Sequence, residues 1–205
     1  MTAVAALGEL PAAGAFLDLT DPDLATVAKN LAGSGFVSAV VAPLLFTEAF
    51  HATVDVPEAV REAAEVSGLH LITAAILGTG DDMLEVVRQS MTLAGIGSQE
   101  SVLLLSVGSS STEANHAILD FAARLGRGRS APVAAAFGTR DPRAEDVLRR
   151  LPEPQAIVPL FLSPGLLLEP LGMLARERGL RMAAPLGPLV APLLVERYHR
   201  ASALG

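Results

Sequence analysis

Hydrophobic and polar positions along this 205-residue chain fall into blocks whose period switches repeatedly between strand-like and helix-like. Short aliphatic and β-branched runs, of the kind buried in a parallel sheet, are each followed by a turn signal and a helical stretch. Residues 15–19 read as a short strand. Asp21-Pro22-Asp23-Leu24 then signals a helix start, and the helix runs to about residue 32, before Gly33 and Gly35. Residues 36–46 form an apolar strand, Val56-Pro57-Glu58 opens a helix to about residue 67, and 69–77 is another strand. Asp81-Asp82 precedes a helix to about residue 94. After a short linker the grammar recurs: strand 101–107, helix 113–124, strand 133–137, a helix from Asp141-Pro142 to about residue 151, strand 157–162, helix 166–178, strand 180–184 and helix 192–201. Strands separated by helices imply βαβ crossovers and mostly parallel sheets.

The recurrence extends to residues. Val41-Ala42-Pro43-Leu44-Leu45-Phe46 matches Ile157-Val158-Pro159-Leu160-Phe161-Leu162 around the shared proline, Thr20-Asp21-Pro22 matches Arg140-Asp141-Pro142, Gly68-Leu69 matches Gly179-Leu180, and Leu77-Gly78 matches Leu186-Gly187. Four matches in the same order indicate an internal duplication with altered loops. The fold class expected is α/β, with two Rossmann-like lobes of mostly parallel sheet flanked by helices. The lobes divide as 1–97 and 98–205, the first lacking the strand–helix unit that opens the second.

Composition narrows the function. Hydrophobic residues make up 51% of the chain, charged residues 18% and aromatic residues 4%, so the core is built from Ala, Leu and Val. No apolar run reaches the roughly 18–20 residues of a membrane span. The opening segment has no basic region and carries Glu9, so no signal peptide is read there. The absence of cysteine excludes disulfides, thiolate zinc sites and cysteine nucleophiles. A net charge of −7 argues against a nucleic-acid partner. A cytoplasmic location with no membrane partner is expected.

Candidate chemistry gathers after the strands. His51 lies between a buried strand and a helix, at the carboxyl edge where open α/β sheets bind ligands; its imidazole could take a proton or coordinate a metal. Asp18 ends the first strand and faces the same edge, and Glu48 lies three residues before His51. Gly108-Ser109-Ser110-Ser111 precedes a helix and could bind an anion through backbone N–H groups, as could Ser163-Pro164-Gly165 in the place equivalent to His51. The serine loop is neither a Walker A loop nor a complete GxGxxG, so no nucleotide is expected.

These segments resemble the CbiX/SirB family of sirohydrochlorin cobalto- and ferrochelatases. Phe16-Leu17-Asp18-Leu19-Thr20-Asp21-Pro22 is similar to the family's FLEL-x-EP segment. Val41 through Pro57 is similar to its V-V-P-L-x-L…H-x-x-x-D-I/V-P segment, which puts His51 on a catalytic histidine. Segments 157–165 and 185–198 resemble the second lobe of the duplicated form. The resemblance implies a tetrapyrrole cleft between the lobes, with Co2+ or Fe2+ as the metal substrate. It makes His51 and Asp18 catalytic and metal-binding; the residues themselves add Glu48 as a further metal-binding candidate and Gly108, Ser109, Ser110, Ser163 and Gly165 as substrate-binding candidates. The sequence departs from the pattern twice. The family's other histidine comes from an HGS-type motif after its very first strand, an element absent here, whose counterpart in the second copy reads Val107-Gly108-Ser109 without a histidine; and Asp18 stands where the family has Glu.

Three functions fit these residues: a chelatase inserting a divalent metal into sirohydrochlorin or a related tetrapyrrole, a relative that binds a tetrapyrrole, metal or partner chain without insertion, and an enzyme acting on another small acidic metabolite. A homodimer is the expected assembly, covering apolar surface left by the reduced first lobe.

Overall fold

The computed structural model describes residues 10–17 and 20–203. Among them the element order is α1 (Leu24–Gly33), β1 (Ser38–Val41), a π-helical turn (His51–Asp55), α2 (Val56–Ser67), β2 (His70–Thr73), α3 (Asp81–Leu93), β3 (Ser101–Ser106), α4 (Thr112–Leu125), β4 (Val133–Phe137), α5 (Ala144–Leu148), β5 (Gln155–Pro159), α6 (Glu169–Arg178), β6 (Arg181–Met182), a 3-10 turn (Gly187–Val190) and α7 (Ala191–Ser202). Contacts group the chain into two units, Met1–Gly78 with Ala191–Gly205, and Thr79–Val190. Two helices therefore cross the 97/98 boundary read from the sequence: α3 groups with the second unit and α7 with the first.

The second unit is a four-stranded parallel sheet in the order β4-β3-β5-β6. All six residues of β3 and all five of β5 are buried, as expected of central parallel strands covered on both faces. Side chains alternate across the pleat. Leu103, Leu105, Ala136 and Ile157 pack with Val147 and Leu148 of α5 and Leu171 and Ala175 of α6. The intervening Val102 and Leu104 face the other layer, where α4 packs on β4 and α3 touches both α4 and β5. Met83 and Val87 of α3 and Phe121 of α4 are fully enclosed.

Polar contacts fix α3 in this unit. Arg124 of α4 stacks over the Phe121 ring, donates to Asp81 Oδ1 at 3.0 Å and also donates to the Thr79 carbonyl. Beyond the other end of α3, the buried Glu100 carboxylate accepts from the Gly97 N–H at 2.8 Å and from Arg181 at 2.6 Å. Arg129 donates to the Gly97 and Glu100 carbonyls, and burial pulls its guanidinium pKa down from the usual arginine range.

The first unit has a two-stranded parallel sheet, β1-β2, in register from Ser38 opposite His70 to Val41 opposite Thr73. The Ala74 N–H continues the ladder to the Val41 carbonyl at 2.8 Å. α1 and α2 meet through small residues, Ala28 and Ala63, with Leu69 completing the cluster. The N-cap Asp23 receives the Thr26 N–H at 2.7 Å, and hydrogen bonds from Thr26 hold its carboxyl below the ordinary carboxylate range. α2 stops at Gly68, whose φ of 73° lies in the left-handed region that glycine tolerates best. α7 covers the sheet, with contacts to β1 and β2.

Several expected strands are shorter than their apolar runs. The run 36–46 pairs over Ser38–Val41 and the run 157–162 over Gln155–Pro159. Pro43 and Pro159 have no N–H to donate, which stops the β1–β2 ladder before Pro43 and the β5–β6 ladder before Pro159, while the Leu160 N–H still reaches the Leu105 carbonyl at 2.7 Å. The expected strand 15–19 is a single bridge within the described residues, Phe16 to Asp23, and Asp18 and Leu19 lie outside them. The expected helix 141–151 contracts to Ala144–Leu148, and beyond its carboxyl end the buried Gln155 amide donates to the Leu148 and Leu151 carbonyls at 2.7 and 2.6 Å.

The duplication is visible as repeated hydrogen bonds. Phe16 N–H donates to the Pro22 carbonyl at 2.9 Å, and Phe137 N–H donates to the Pro142 carbonyl at 2.9 Å. Gly78 N–H reaches Leu45 O at 3.0 Å, and Gly187 N–H reaches Leu162 O at 3.1 Å. Gly68 and Gly179 end α2 and α6 in the same left-handed conformation.

The guanidinium of Arg197, with only 11% of its side chain exposed, ties α7 down by donating to the Ile76 and Leu77 carbonyls, both at 3.3 Å. Arg197→Met retains the apolar stem and removes these donors. It is expected to destabilise the protein by roughly 1–3 kcal/mol, read as a lower urea midpoint with an unchanged slope.

Candidate functional site

Parallel strands deliver their following loops to one edge of a sheet, and the sequence-derived site residues lie in such loops. In the first unit the chain leaves β1 at Val41 and enters one π-helical turn at His51, where the Val56 N–H donates to the His51 carbonyl five residues back. Pro57 in the first turn of α2 accounts for this widening. In an ordinary α-helix its ring would collide with the carbonyl of Thr53, and it has no N–H to offer.

The wide turn brings together a pair. His51 Nδ1 lies 2.6 Å from Asp55 Oδ2, with the imidazole side chain 57% exposed and the carboxylate 27% exposed. An ionised carboxylate only accepts, so with Asp55 ionised the shared hydrogen would sit on Nδ1 and the lone pair of a neutral ring on Nε2. That nitrogen can take a proton or bind a cation. Asp55 is the residue that sequence reasoning did not select. Its signal was the four-residue spacing from His51, which places side chains on one helix face.

The other expected ligands are not brought to this pair by any recorded contact. Glu48 is exposed on the loop before the π-turn, and Asp18 lies outside the described residues. Among the described residues no three His, Asp or Glu side chains form a cluster able to hold a metal ion. His70 is exposed at the start of β2.

In the second unit, the order β4-β3-β5-β6 reverses direction at β3, so the crevice beyond the carboxyl ends of β3 and β5 is the topological switch point. Gly108, Ser109 and Ser110 follow β3, and Ser163 and Gly165 follow β5, so neighbouring strands supply both loops. Much of the serine loop is satisfied internally. The Ser109 N–H donates to the Asn115 side-chain oxygen, and the Asn115 amide donates to the Ser109 carbonyl, both at 2.8 Å. The Ser111 N–H donates to Ser109 Oγ at 3.1 Å, and Ser111 Oγ caps α4 by accepting from Ala114 N–H. Ser111 Oγ donates in turn to Glu113, whose carboxyl is held below its usual range by its own N–H and this hydroxyl. Ser110, Ser163 and Gly165 are exposed. A hollow of about 440 Å³, lined by Thr79, Asp120, Arg124 and Arg127 among others, lies at α4 rather than at these loops.

Comparison with known proteins now has a geometry to refer to. The CbiX family model matches residues 2–94 and 101–201. The chain belongs to the CbiX family. A sirohydrochlorin cobaltochelatase of Sulfurisphaera tokodaii is 27% identical over 74 residues, a match spanning 36% of this chain and 59% of that relative. SirB from Bacillus subtilis with Fe3+ superposes with a TM-score of 0.77 at 22% identity, covering 98% of this chain and 89% of its own. SirB from Bacillus subtilis subspecies spizizenii in complex with cobalt gives 0.73 at 21% identity, covering 92% and 80%. CbiX, described as the terminal enzyme of siroheme biosynthesis in denitrifying bacteria, gives 0.59 at 18% identity, covering 87% and 89%. These likenesses establish the chelatase fold, with its parallel sheets flanked by helices.

Gly108 has a structural requirement independent of any ligand in this CbiX-family chain. Its φ is +89°, and an added Cβ would lie 3.0 Å from Arg140 Cγ and Phe137 Cβ and 3.2 Å from Thr139 Oγ1. Gly108→Ala is expected to cost about 1–3 kcal/mol in urea unfolding, against about 0.5 kcal/mol or less for Ser110→Ala on the exposed side of the loop.

Proposed function

We propose that this protein is a sirohydrochlorin chelatase, inserting Co2+ or Fe2+ into the tetrapyrrole with His51 as base and metal ligand. The observation carrying the proposal is that the CbiX family match spans both halves of the chain and contains, at a sheet's carboxyl edge, an exposed imidazole whose Nδ1 is held by a carboxylate. The metal is a substrate. Insertion exchanges two pyrrole N–H protons for one divalent cation, so it needs a group that accepts protons and a group that holds a partly desolvated metal near the ring. A neutral imidazole serves either need through one nitrogen. Asp18 and Glu48 are proposed as the accompanying carboxylates, one for proton acceptance and both for charge on the metal. Backbone N–H groups around Ser110, Ser163 and Gly165 are proposed as donors to the carboxylates of the macrocycle rim. No nucleotide enters this scheme, and a cytoplasmic setting is proposed with it.

A second reading rests on a specific departure. The HGS-type element that follows the family's first strand is absent from this sequence, and its second-copy counterpart Val107-Gly108-Ser109 carries no histidine, which favours a member that binds tetrapyrrole or metal without completing insertion. A homodimer is proposed as well. Phe36 and Val37, 43% and 81% exposed beside β1, support it, and a mass that stays monomeric across concentration in sedimentation equilibrium would remove it.

Mixing the purified protein with sirohydrochlorin and Co2+ or Fe2+ is expected to change the visible spectrum faster than the protein-free control. His51→Ala is expected to lower that rate at least 100-fold while leaving the circular dichroism spectrum intact. A His51→Ala protein as fast as wild type would overturn the assignment, and a spectral shift on binding without metal insertion would establish the second reading.

A further inference from the structure

We infer that Asp55 is the positioning residue of this site, holding His51 in the tautomer that protonates Nδ1 and thereby making Nε2 the only nitrogen offered to a metal or a pyrrole proton. The value of that nitrogen to chelation rests on the function proposed above; the tautomer itself does not.

Three observations carry the inference. The 2.6 Å contact joins Nδ1, not Nε2, to a carboxyl oxygen, and an ionised carboxylate can only accept. The two residues sit within one π-helical turn whose opening is accounted for by Pro57, so the pair is set by local backbone geometry. The carboxylate is the less exposed partner, 27% against 57% for the imidazole, so the acid is partly withdrawn and the ring projects outward from it. A free neutral imidazole side chain favours the opposite tautomer, with hydrogen on Nε2 and the lone pair on Nδ1, close to its own backbone. The Asp55 contact reverses that preference and turns the lone pair outward. Carboxylate–histidine–metal arrangements use this orientation, and losing the outer carboxylate there weakens metal affinity about 10–100-fold.

Long-range 1H–15N correlation spectra of protein labelled in its histidines read the tautomer directly, with His51 assigned by its loss in His51→Gln. At a pH where the ring is neutral, wild type is expected to show Nδ1 protonated and Nε2 bare. Asp55→Ala should move His51 toward the Nε2–H form, and Asp55→Glu should recover part of the original pattern. Signals of His70, His116 and His199 should stay in place, reporting an intact fold. Co2+ affinity, titrated without tetrapyrrole, should fall about 10–100-fold in Asp55→Ala and partly return in Asp55→Glu. A wild-type His51 with Nε2 protonated would overturn the inference without recourse to any variant. So would an Asp55→Ala protein that keeps the Nδ1–H form, or one that changes tautomer with unaltered Co2+ affinity. Failure of wild type to insert metal into sirohydrochlorin removes the proposed function alone, because the tautomer and Co2+ readings need no turnover.

Discussion

Parallel pairing is the constraint from which the rest of this structure follows. Two parallel strands cannot be joined by a tight turn; the chain must return along a face of the sheet before pairing again. Those returns become helices, and helices on both faces bury the strands. β3 and β5 show the result, enclosed at every position. The same constraint sends every loop that follows a strand to one edge. His51 after β1, Gly108 through Ser111 after β3, and Ser163 through Gly165 after β5 are thus edge residues by topology, before any side chain is considered.

The two copies of the duplicated unit have used that edge differently. In the second unit the loop after β3 is closed on itself through Asn115, Ser109 and Ser111, and Gly108 is pressed against Phe137, Thr139 and Arg140. Its polar groups largely serve the loop. In the first unit the segment after β1 ends instead in a π-helical turn with an outward imidazole. Shared hydrogen bonds at Phe16 and Phe137, and at Gly78 and Gly187, preserve the frame while the edge diverges.

The helix–strand order was legible because period and punctuation agree in this chain. Gly68 and Gly179 mark helix ends, Ser111 marks a helix start, and β3 and β5 lie in aliphatic runs that cannot face water. Strand lengths were less legible, since hydropathy does not report where Pro43 and Pro159 interrupt a ladder. The grouping of α3 and α7 was not legible either. It depends on contacts such as Arg124 to Asp81 and Arg197 to the Ile76 and Leu77 carbonyls, and these have no local pattern. At the site, His51 stood out by residue type and position. Asp55 did not, and its pairing with His51 becomes visible only when the π-turn is built. The loop serines read as anion donors because sequence shows the N–H groups without showing their internal acceptors.

The placement of α7 has a consequence for synthesis. The first unit is begun near the amino terminus, yet the helix covering β1 and β2 is Ala191–Ser202, made after the whole of Thr79–Val190. The β1 and β2 segments are therefore made long before the helix that covers them, while the described elements of the second unit all precede α7. The half bearing His51 is thus the first to be started, yet its covering helix is made after every other described element.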